Sequence, residues 1–135
     1  MATFNKFNSF VAEIANGGHN LSTNQLTVAL TNTLPIATNT VLADLVQIDH
    51  TNLSSRNITT TSSTQTGGTY SLVLADLTLT ASGTVPAFRY VVVYNSTSVG
   101  GKLIGWYDYG STVNMNASET LTIDFVDAQT LFDIV

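Results

Sequence analysis

The sequence predicts an all-β domain, a β-sandwich or jelly roll of about six to eight antiparallel strands with one N-terminal α-helix. The 135 residues include 22 Thr, 12 Ser and 12 Asn, and Thr favours strands whereas Asn and Ser favour turns. Beyond residue 24, apolar side chains recur at every second position in short segments that turn residues separate. The length fits a single domain of residues 1–135, with the helix in 1–18 and the sandwich in 24–135.

The N-terminal helix is predicted from apolar residues at steps of three and four, which are Phe4, Phe7, Phe10, Val11 and Ile14. Thr3 is placed to cap its start, and Gly17-Gly18 is placed to end it. A helix with three phenylalanines on one face has to bury that face. The face packs either against the chain's own sheet, which is the favoured reading, or against a neighbouring subunit.

The first strand is predicted at 25–31, where Leu26, Val28 and Leu30 alternate with smaller residues. Pro35 prevents a central strand from continuing through the next segment, because proline lacks the backbone donor. Residues 41–45 then form a capped helical turn or a short strand, and we favour the turn. The stretch 59–69 is too poor in apolar groups for a core position and is either an exposed edge strand or a loop.

The segment 70–80 is predicted to be one long strand in which the apolar side chains change from even-numbered to odd-numbered positions. This change predicts a bulge near Ala75-Asp76. The segment 88–95 is apolar on both parities and is predicted to be a central strand covered on both faces. A hairpin loop at 95–101 leads to a strand at 102–109. Turns are expected at 109–111 and 114–116, followed by strands at 120–126 and 130–135.

Charge limits the classes of partner. Four Lys and Arg residues and a net charge of −5 provide no basic patch, so we expect no nucleic-acid partner. No apolar run reaches the roughly 20 residues that span a bilayer, and anionic membrane surfaces are disfavoured, so we expect no membrane partner. The first 18 residues lack the charge and hydrophobicity pattern of a signal peptide. The absence of cysteine excludes disulfides and thiol chemistry.

The titratable residues predict no catalytic, metal or cofactor site. Asp49 and His50 are adjacent, with Arg56 nearby, but no serine stands in a nucleophile elbow, so a polar surface loop is favoured. His19 follows the helix stop, where a cation satisfies helix carbonyls. Asp124 and Asp127 fit a solvated acidic edge better than a calcium site. The carboxylates of Asp44, Asp76 and Asp108 would form a general acid and base only if buried together, and nothing in the pattern makes them converge.

Aromatic residues are the remaining candidates for recognition. Trp106, Tyr107 and Tyr109 lie within four positions of a predicted strand. Aromatic platforms bind sugars and anchor protein interfaces. Alternation places Trp106 and Tyr107 on opposite faces, so they cannot line one surface. Core packing of one face is the favoured interpretation, and a sugar-binding or receptor-binding module that uses Trp106 or the tyrosines is an alternative.

Read end to end, the sequence resembles a group of small virion structural proteins of tailed bacteriophages. The segments that carry the resemblance are 2–7, 30–44, 68–76 and 88–110, including Leu103-Ile104-Gly105-Trp106-Tyr107-Asp108-Tyr109-Gly110. They cover most of the chain and contain no diagnostic catalytic motif. The resemblance implies a capsid decoration (cement) protein, because such proteins of this size are commonly β-rich and often trimeric. The step from a virion structural protein to a decoration protein rests on the size of the chain, its fold class and the virion context.

The resulting expectation is a non-enzymatic capsid decoration protein, made in the host cytoplasm and located on the capsid surface. Its partners would be the major capsid protein and further copies of itself in a homotrimer. A neutral surface rich in Thr, Asn and Ser supports such association. The expected contact residues are Phe4, Phe7, Phe10, Thr59, Thr60, Thr61 and Trp106. The alternatives are a tail or head–tail junction component, a receptor-binding or sugar-binding module, and a small hydrolase that uses Asp49 or His50.

Overall fold

The structure is a computed structural model that describes residues 3–125 and, for the backbone alone, residues 132–134. It confirms an all-β fold with antiparallel sheets and a single short helix. The described part holds more strands than predicted, because three of them are only two or three residues long. The strands are β1 (Phe4–Lys6), β2 (Leu26–Thr31), β3 (Asn57–Ile58), β4 (Thr60–Thr66), β5 (Thr69–Leu74), β6 (Leu77–Thr80), β7 (Val85–Asn95), β8 (Lys102–Met115), β9 (Thr120–Ile123) and β10 (Phe132–Ile134).

The strands form three antiparallel sheets. A five-stranded sheet has the order β1-β8-β7-β2-β3, a three-stranded sheet has the order β10-β5-β4, and β6 pairs with β9. One core cluster joins Val28, Val91 and Ile104 of the large sheet to Leu72 of β5 and Leu79 of β6. The two small sheets therefore pack over one face of the large sheet, as a sandwich does. The central strand predicted at 88–95 is confirmed, since β7 lies between β8 and β2.

The helix is shorter than predicted and begins later. It is α1 (Asn8–Ala15), and Thr3 does not cap it. Phe4 lies instead in β1, directly opposite Tyr107 of β8. Residues 4–6 form a strand and not the first turn of the helix, because they cover an edge of β8 that would otherwise expose unpaired backbone groups. The predicted stop is confirmed, because Gly17 follows the helix with a φ of +80°.

The parity change at 70–80 marks a passage between sheets and not the bulge that we predicted. The chain leaves β5 at Leu74, passes Ala75-Asp76, and enters β6 at Leu77 in a different sheet. Both halves still send leucines into the same core cluster. A second passage lies at Thr59, between β3 of the large sheet and β4 of the three-stranded sheet.

Strand β8 continues through the turn predicted at 109–111. Phe88 pairs with Val113 and Tyr90 with Asp108, so β8 holds extra residues between these two pairs. Gly110 has a φ of +94° in this bulge, and a glycine takes that conformation without strain. The turn predicted at 114–116 is displaced, since β8 extends to Met115. The strand predicted at 120–126 is confirmed as the shorter β9.

The second face of the large sheet is covered by irregular chain. Phe7, together with Leu42 and Leu45, packs there against Val92 and Trp106. The segment 33–48 includes the predicted helical turn, a 3-10 turn at Leu42–Asp44. The Asp44 carboxylate accepts hydrogen bonds from the backbone N–H of Thr40 and Val41. No strand covers this face within residues 3–125, and the irregular segment takes that place.

Candidate interaction surface

Each of the three aspartates that the sequence places in apolar segments accepts hydrogen bonds within a different local structure. Asp44 stabilises the 3-10 turn, and its hydrogen bond from the Thr40 N–H holds its pKa below the usual range. Asp76 accepts from the backbone N–H of Phe125 at 3.0 Å. Asp108 binds the Arg89 guanidinium through two hydrogen bonds of 2.8 and 3.1 Å, which lower its pKa. No acid and base pair arises from these residues.

The Asp49-His50 segment blocks a sheet edge. The Nε2 atom of His50 accepts from the backbone N–H of Leu30 at 3.0 Å. The Arg56 side chain donates to the carbonyl oxygen of Val28 on the same strand. Beyond its two residue pairs with β3, the outer edge of β2 is thus occupied by these side chains and by backbone groups of Ile48 and Arg56. A strand from another molecule cannot pair with this edge while they are in place.

Two of the three candidate phenylalanines are buried inside the chain. Phe7 is 0% exposed on the second face, and Phe10 is 2% exposed in the main core. Their helix therefore packs against its own sheet, the favoured of the two predicted readings. Phe4 is half-buried, and its ring contacts that of Tyr107 at a centroid distance of 5.4 Å. None of the three presents a free ring to a partner.

Trp106 and Tyr107 lie on opposite faces of β8, as the alternation predicted. Trp106 is half-buried on the second face, where its ring lies 4.7 Å from that of Phe7. Tyr107 belongs to the main core, and burial raises the pKa of its hydroxyl. Tyr109, further along, is 52% exposed. The three aromatic rings do not form a single platform.

The Thr-rich stretch is an exposed edge strand, the first of the two options predicted for it. β4 pairs with β5 through a two-residue turn at Gly67-Gly68. Both glycines have positive φ, +58° and +87°, which a type I′ hairpin turn requires. Thr60 and Thr61 begin β4, and Thr59 stands immediately before it. A bulge between Thr60 and Ser62 interrupts the register there.

The outer edge of β4 has no strand beside it among residues 3–125 and 132–134. A two-residue turn closes on a hydrogen-bonded pair, and bonded and non-bonded pairs alternate along the hairpin. The backbone N–H and C=O groups of Ser63 and Gln65 consequently point outward. The strand holds seven residues and no charged side chain. An uncharged edge of this length is a surface on which another strand can pair.

Three exposed aliphatic side chains lie on the segment 33–48. Leu34, Ile36 and Val46 are each more than half exposed. The Thr31 hydroxyl contacts the carbonyl oxygens of both Thr33 and Val46, so the two ends of this segment lie together. We call Leu34, Ile36 and Val46 the aliphatic patch. The patch lies apart from β4 in the sequence. It belongs to the segment that covers the second face of the large sheet.

Other expected sites fall outside these surfaces. The described residues contain no group of three His, Asp or Glu side chains placed to hold a metal ion. Of the Asp124–Asp127 pair, Asp127 lies outside the described residues. In residues 3–125, no helix is long and apolar enough to cross a membrane. His19 does not satisfy helix carbonyls as a cation, because burial lowers its pKa and its Nδ1 atom contacts Asn95.

Sequence reasoning missed the role of His50 and Arg56 at the β2 edge. Both side chains reach backbone groups about twenty to thirty residues away. No local pattern signals such a contact, which depends on how the segment 49–56 returns along β2.

No protein-family model, curated protein or solved structure matches the chain.

Proposed function

We propose that this chain is a non-enzymatic structural protein of a tailed-phage virion, a capsid decoration protein that self-associates on the capsid surface. Its partner is the major capsid protein, and its assembled form is a homotrimer. The observation that carries the proposal is the uncharged edge of β4, which has no strand beside it in the part of the chain that the structure describes. Monomeric proteins usually blunt such an edge with charge, proline or a covering loop.

A decoration oligomer needs two separate contacts, one with its own copies and one with the capsid. The β4 edge suits self-association, because backbone pairing requires no special side chains and no charges oppose it. A homotrimer forms if β4 of one copy docks on a different surface of the next, whereas pairing of β4 with itself produces a dimer. The aliphatic patch suits the capsid contact, since exposed apolar groups mark interaction sites.

Two substitutions test the two contacts separately. Thr64→Lys places a charge on the exposed β4 edge, and its matched control is Thr80→Lys. Thr80 is an exposed strand threonine whose N–H and carbonyl are already bonded to Ser54. Sedimentation equilibrium should give a trimer mass for the parent and Thr80→Lys and a monomer mass for Thr64→Lys. A parent monomer would overturn the homotrimer, and an assembled Thr64→Lys variant would overturn the role of β4.

The capsid contact is tested by co-sedimentation with particles stripped of this protein. Ile36→Lys changes the aliphatic patch, and Val11→Lys is the control, because Val11 is an aliphatic residue of similar exposure on α1. We expect Ile36→Lys to weaken capsid binding about tenfold or more and Val11→Lys to leave it within about twofold. Absence of binding by the parent chain would overturn the decoration function. Electron-microscopic density confined to the tail would replace it with a tail or junction role.

A further inference from the structure

The end of α1 contains the only position in the sequence where glycine directly follows asparagine, at Asn16-Gly17. Asn16 is the C-cap residue of the helix, and both residues are exposed. Asparagine is a thermolabile residue, because its side-chain amide reacts with the backbone nitrogen of the residue that follows it. The rate of this reaction depends on access to that nitrogen and on the freedom of the asparagine side chain.

Both reacting groups are free in the folded chain. Among the described residues, neither the Asn16 side-chain amide nor the backbone N–H of Gly17 makes a hydrogen bond. The amides on either side differ, since the Asn16 N–H donates to the Ala12 carbonyl at 2.9 Å. The Gly18 N–H donates to the Glu13 carbonyl at 2.7 Å. The nitrogen that would react is therefore the one amide of these three that no acceptor holds.

Steric access to the Gly17 nitrogen is also open. Gly17 has no Cβ to shield its own nitrogen, and no described atom beyond its chain neighbours lies within 4 Å of the position that a Cβ would take. Ring closure requires rotation about the Asn16 ψ bond, which stands at 5° in the C-cap. The last residue of a helix frays, and a glycine follows it, so the chain accommodates this rotation without unfolding.

We propose that Asn16 is a site of spontaneous modification, at which the folded chain converts this asparagine into isoaspartate or aspartate. The Gly17 nitrogen loses its proton to the solvent and bonds to the side-chain carbonyl carbon of Asn16, and the bond from that carbon to the side-chain nitrogen breaks. The products of this step are a succinimide and ammonia. One water molecule then opens the ring at either carbonyl. The reaction does not depend on the proposed capsid function.

The modification changes the end of α1 in two ways. Either product places a negative charge at the C-terminal end of the helix, where the helix dipole disfavours it. Glu13, another carboxylate, lies one turn earlier on the same helix. Isoaspartate also adds one carbon to the main chain between residues 16 and 17. This insertion displaces Gly18 from the Glu13 carbonyl, so the isoaspartyl form loses the hydrogen bond that closes the helix.

The test is incubation of the purified full chain in mildly alkaline and mildly acidic buffer, followed by peptide mass spectrometry and an isoaspartate assay. The Asn16 peptide should exchange the mass of an amino group for that of a hydroxyl, and faster in alkali, because the amide nitrogen reacts without its proton. Asn116 is the internal control, since it is also exposed but Ala117 follows it.

We expect the Asn116 peptide to react at least about tenfold more slowly than the Asn16 peptide, a difference of about 1.4 kcal/mol in the barrier. Asn95, which is buried and precedes a serine, should not react at all. Conversion at Asn16 that is no faster than at Asn116 would overturn the proposal, because the helix end would then hold the amide away from the nitrogen.

Two glycine variants test the role of access. Gly17→Ala places a Cβ beside the reacting nitrogen and should slow conversion at Asn16 about tenfold. Gly110→Ala is the matched control, because Gly110 also has a positive φ and open space around it. Conversion at Asn16 should be unchanged in Gly110→Ala. Equal rates in the two variants would overturn the assignment of Gly17 as the residue that permits the reaction.

Amide hydrogen exchange measures the effect on α1. The isoaspartyl form should exchange the Gly18 amide faster than the parent, because that amide has lost its acceptor. Asn16→Asp carries the new charge without the extra main-chain carbon, so it should keep most of the protection at Gly18. Equal protection of Gly18 in the isoaspartyl form and the parent would overturn the predicted loss of the closing hydrogen bond.

Discussion

Acidification below neutral pH should destabilise this protein through His50. The neutral imidazole accepts from the Leu30 N–H, and protonation of Nε2 destroys that acceptor. Burial lowers the pKa of His50 from 6.5 to about 4, the Arg56 charge adds to this effect, and Asp49 opposes it. The unfolded chain therefore binds this proton more readily than the folded chain. The contribution of His50 to the free energy of unfolding is present above pH 6.5 and is lost as the pH falls toward about 4.

The size of the loss follows from the two pKa values. The difference between 6.5 and about 4 sets an upper limit of about 3 kcal/mol on the contribution of His50. The imidazole is only half-buried, so solvent screening reduces the expected loss to about 1–2 kcal/mol. His19 acts in the same direction, since burial lowers its pKa as well. A variant of His50 alone is needed to separate the two histidines.

His50→Gln provides that separation, because its Oε1 atom lies near the position of the imidazole Nε2 and does not titrate. Urea unfolding followed by Trp106 fluorescence, at several pH values from 7 to 4.5, gives both free energies of unfolding. We expect the parent to lose about 1–2 kcal/mol more than His50→Gln across this range. Equal losses in the two proteins would refute the reasoning. The pKa values of Asp44, Asp49 and Asp108 are lowered, so these carboxylates do not titrate in the window.

Three further outcomes are expected in urea unfolding at pH 7. Gly105→Ala should cost about 1–3 kcal/mol, because its new Cβ would lie 2.2 Å from the ring of the β1 phenylalanine; an unchanged midpoint would contradict the close packing of β1. Phe7→Ala should cost about 3–5 kcal/mol, since the ring is 0% exposed, whereas Val11→Ala should cost well under about 1 kcal/mol; similar losses would contradict the buried position of Phe7. Arg89→Gln should leave the midpoint nearly unchanged, because its ion pair with Asp108 is well exposed.

The sequence predicted the strands that have one face in the core. Segments 25–31, 88–95 and 102–109 each showed a clear pattern, and each became part of the large sheet. The apolar period reports burial of one side of a strand and does not report the sheet to which the strand belongs. The parity change at 70–80 was visible for that reason, but a bulge and a passage between sheets produce the same pattern.

The N-terminus and the candidate surfaces depended on contacts that no local pattern carries. Phe4 fits the helical period, yet the exposed edge of β8 captures residues 4–6 as a strand. The contact of His19 with Asn95 depends on an amide on β7 that two backbone N–H groups orient. Neither the edge of β8 nor the orientation of Asn95 can be read before the strand order is known.

The placement of the few cations indicates where another strand can attach. The chain has four Lys and Arg residues, and two of them lie at the outer strands of the large sheet. Lys6 lies on β1, and Arg56 bonds to the outer backbone of β2. The β4 edge carries no charge although it is longer than either β1 or β3. A charged side chain thus lies at each side of the large sheet, whereas β4 has no charged side chain and, among the described residues, no strand beside it. An edge left open in this way is where the proposed self-association should occur.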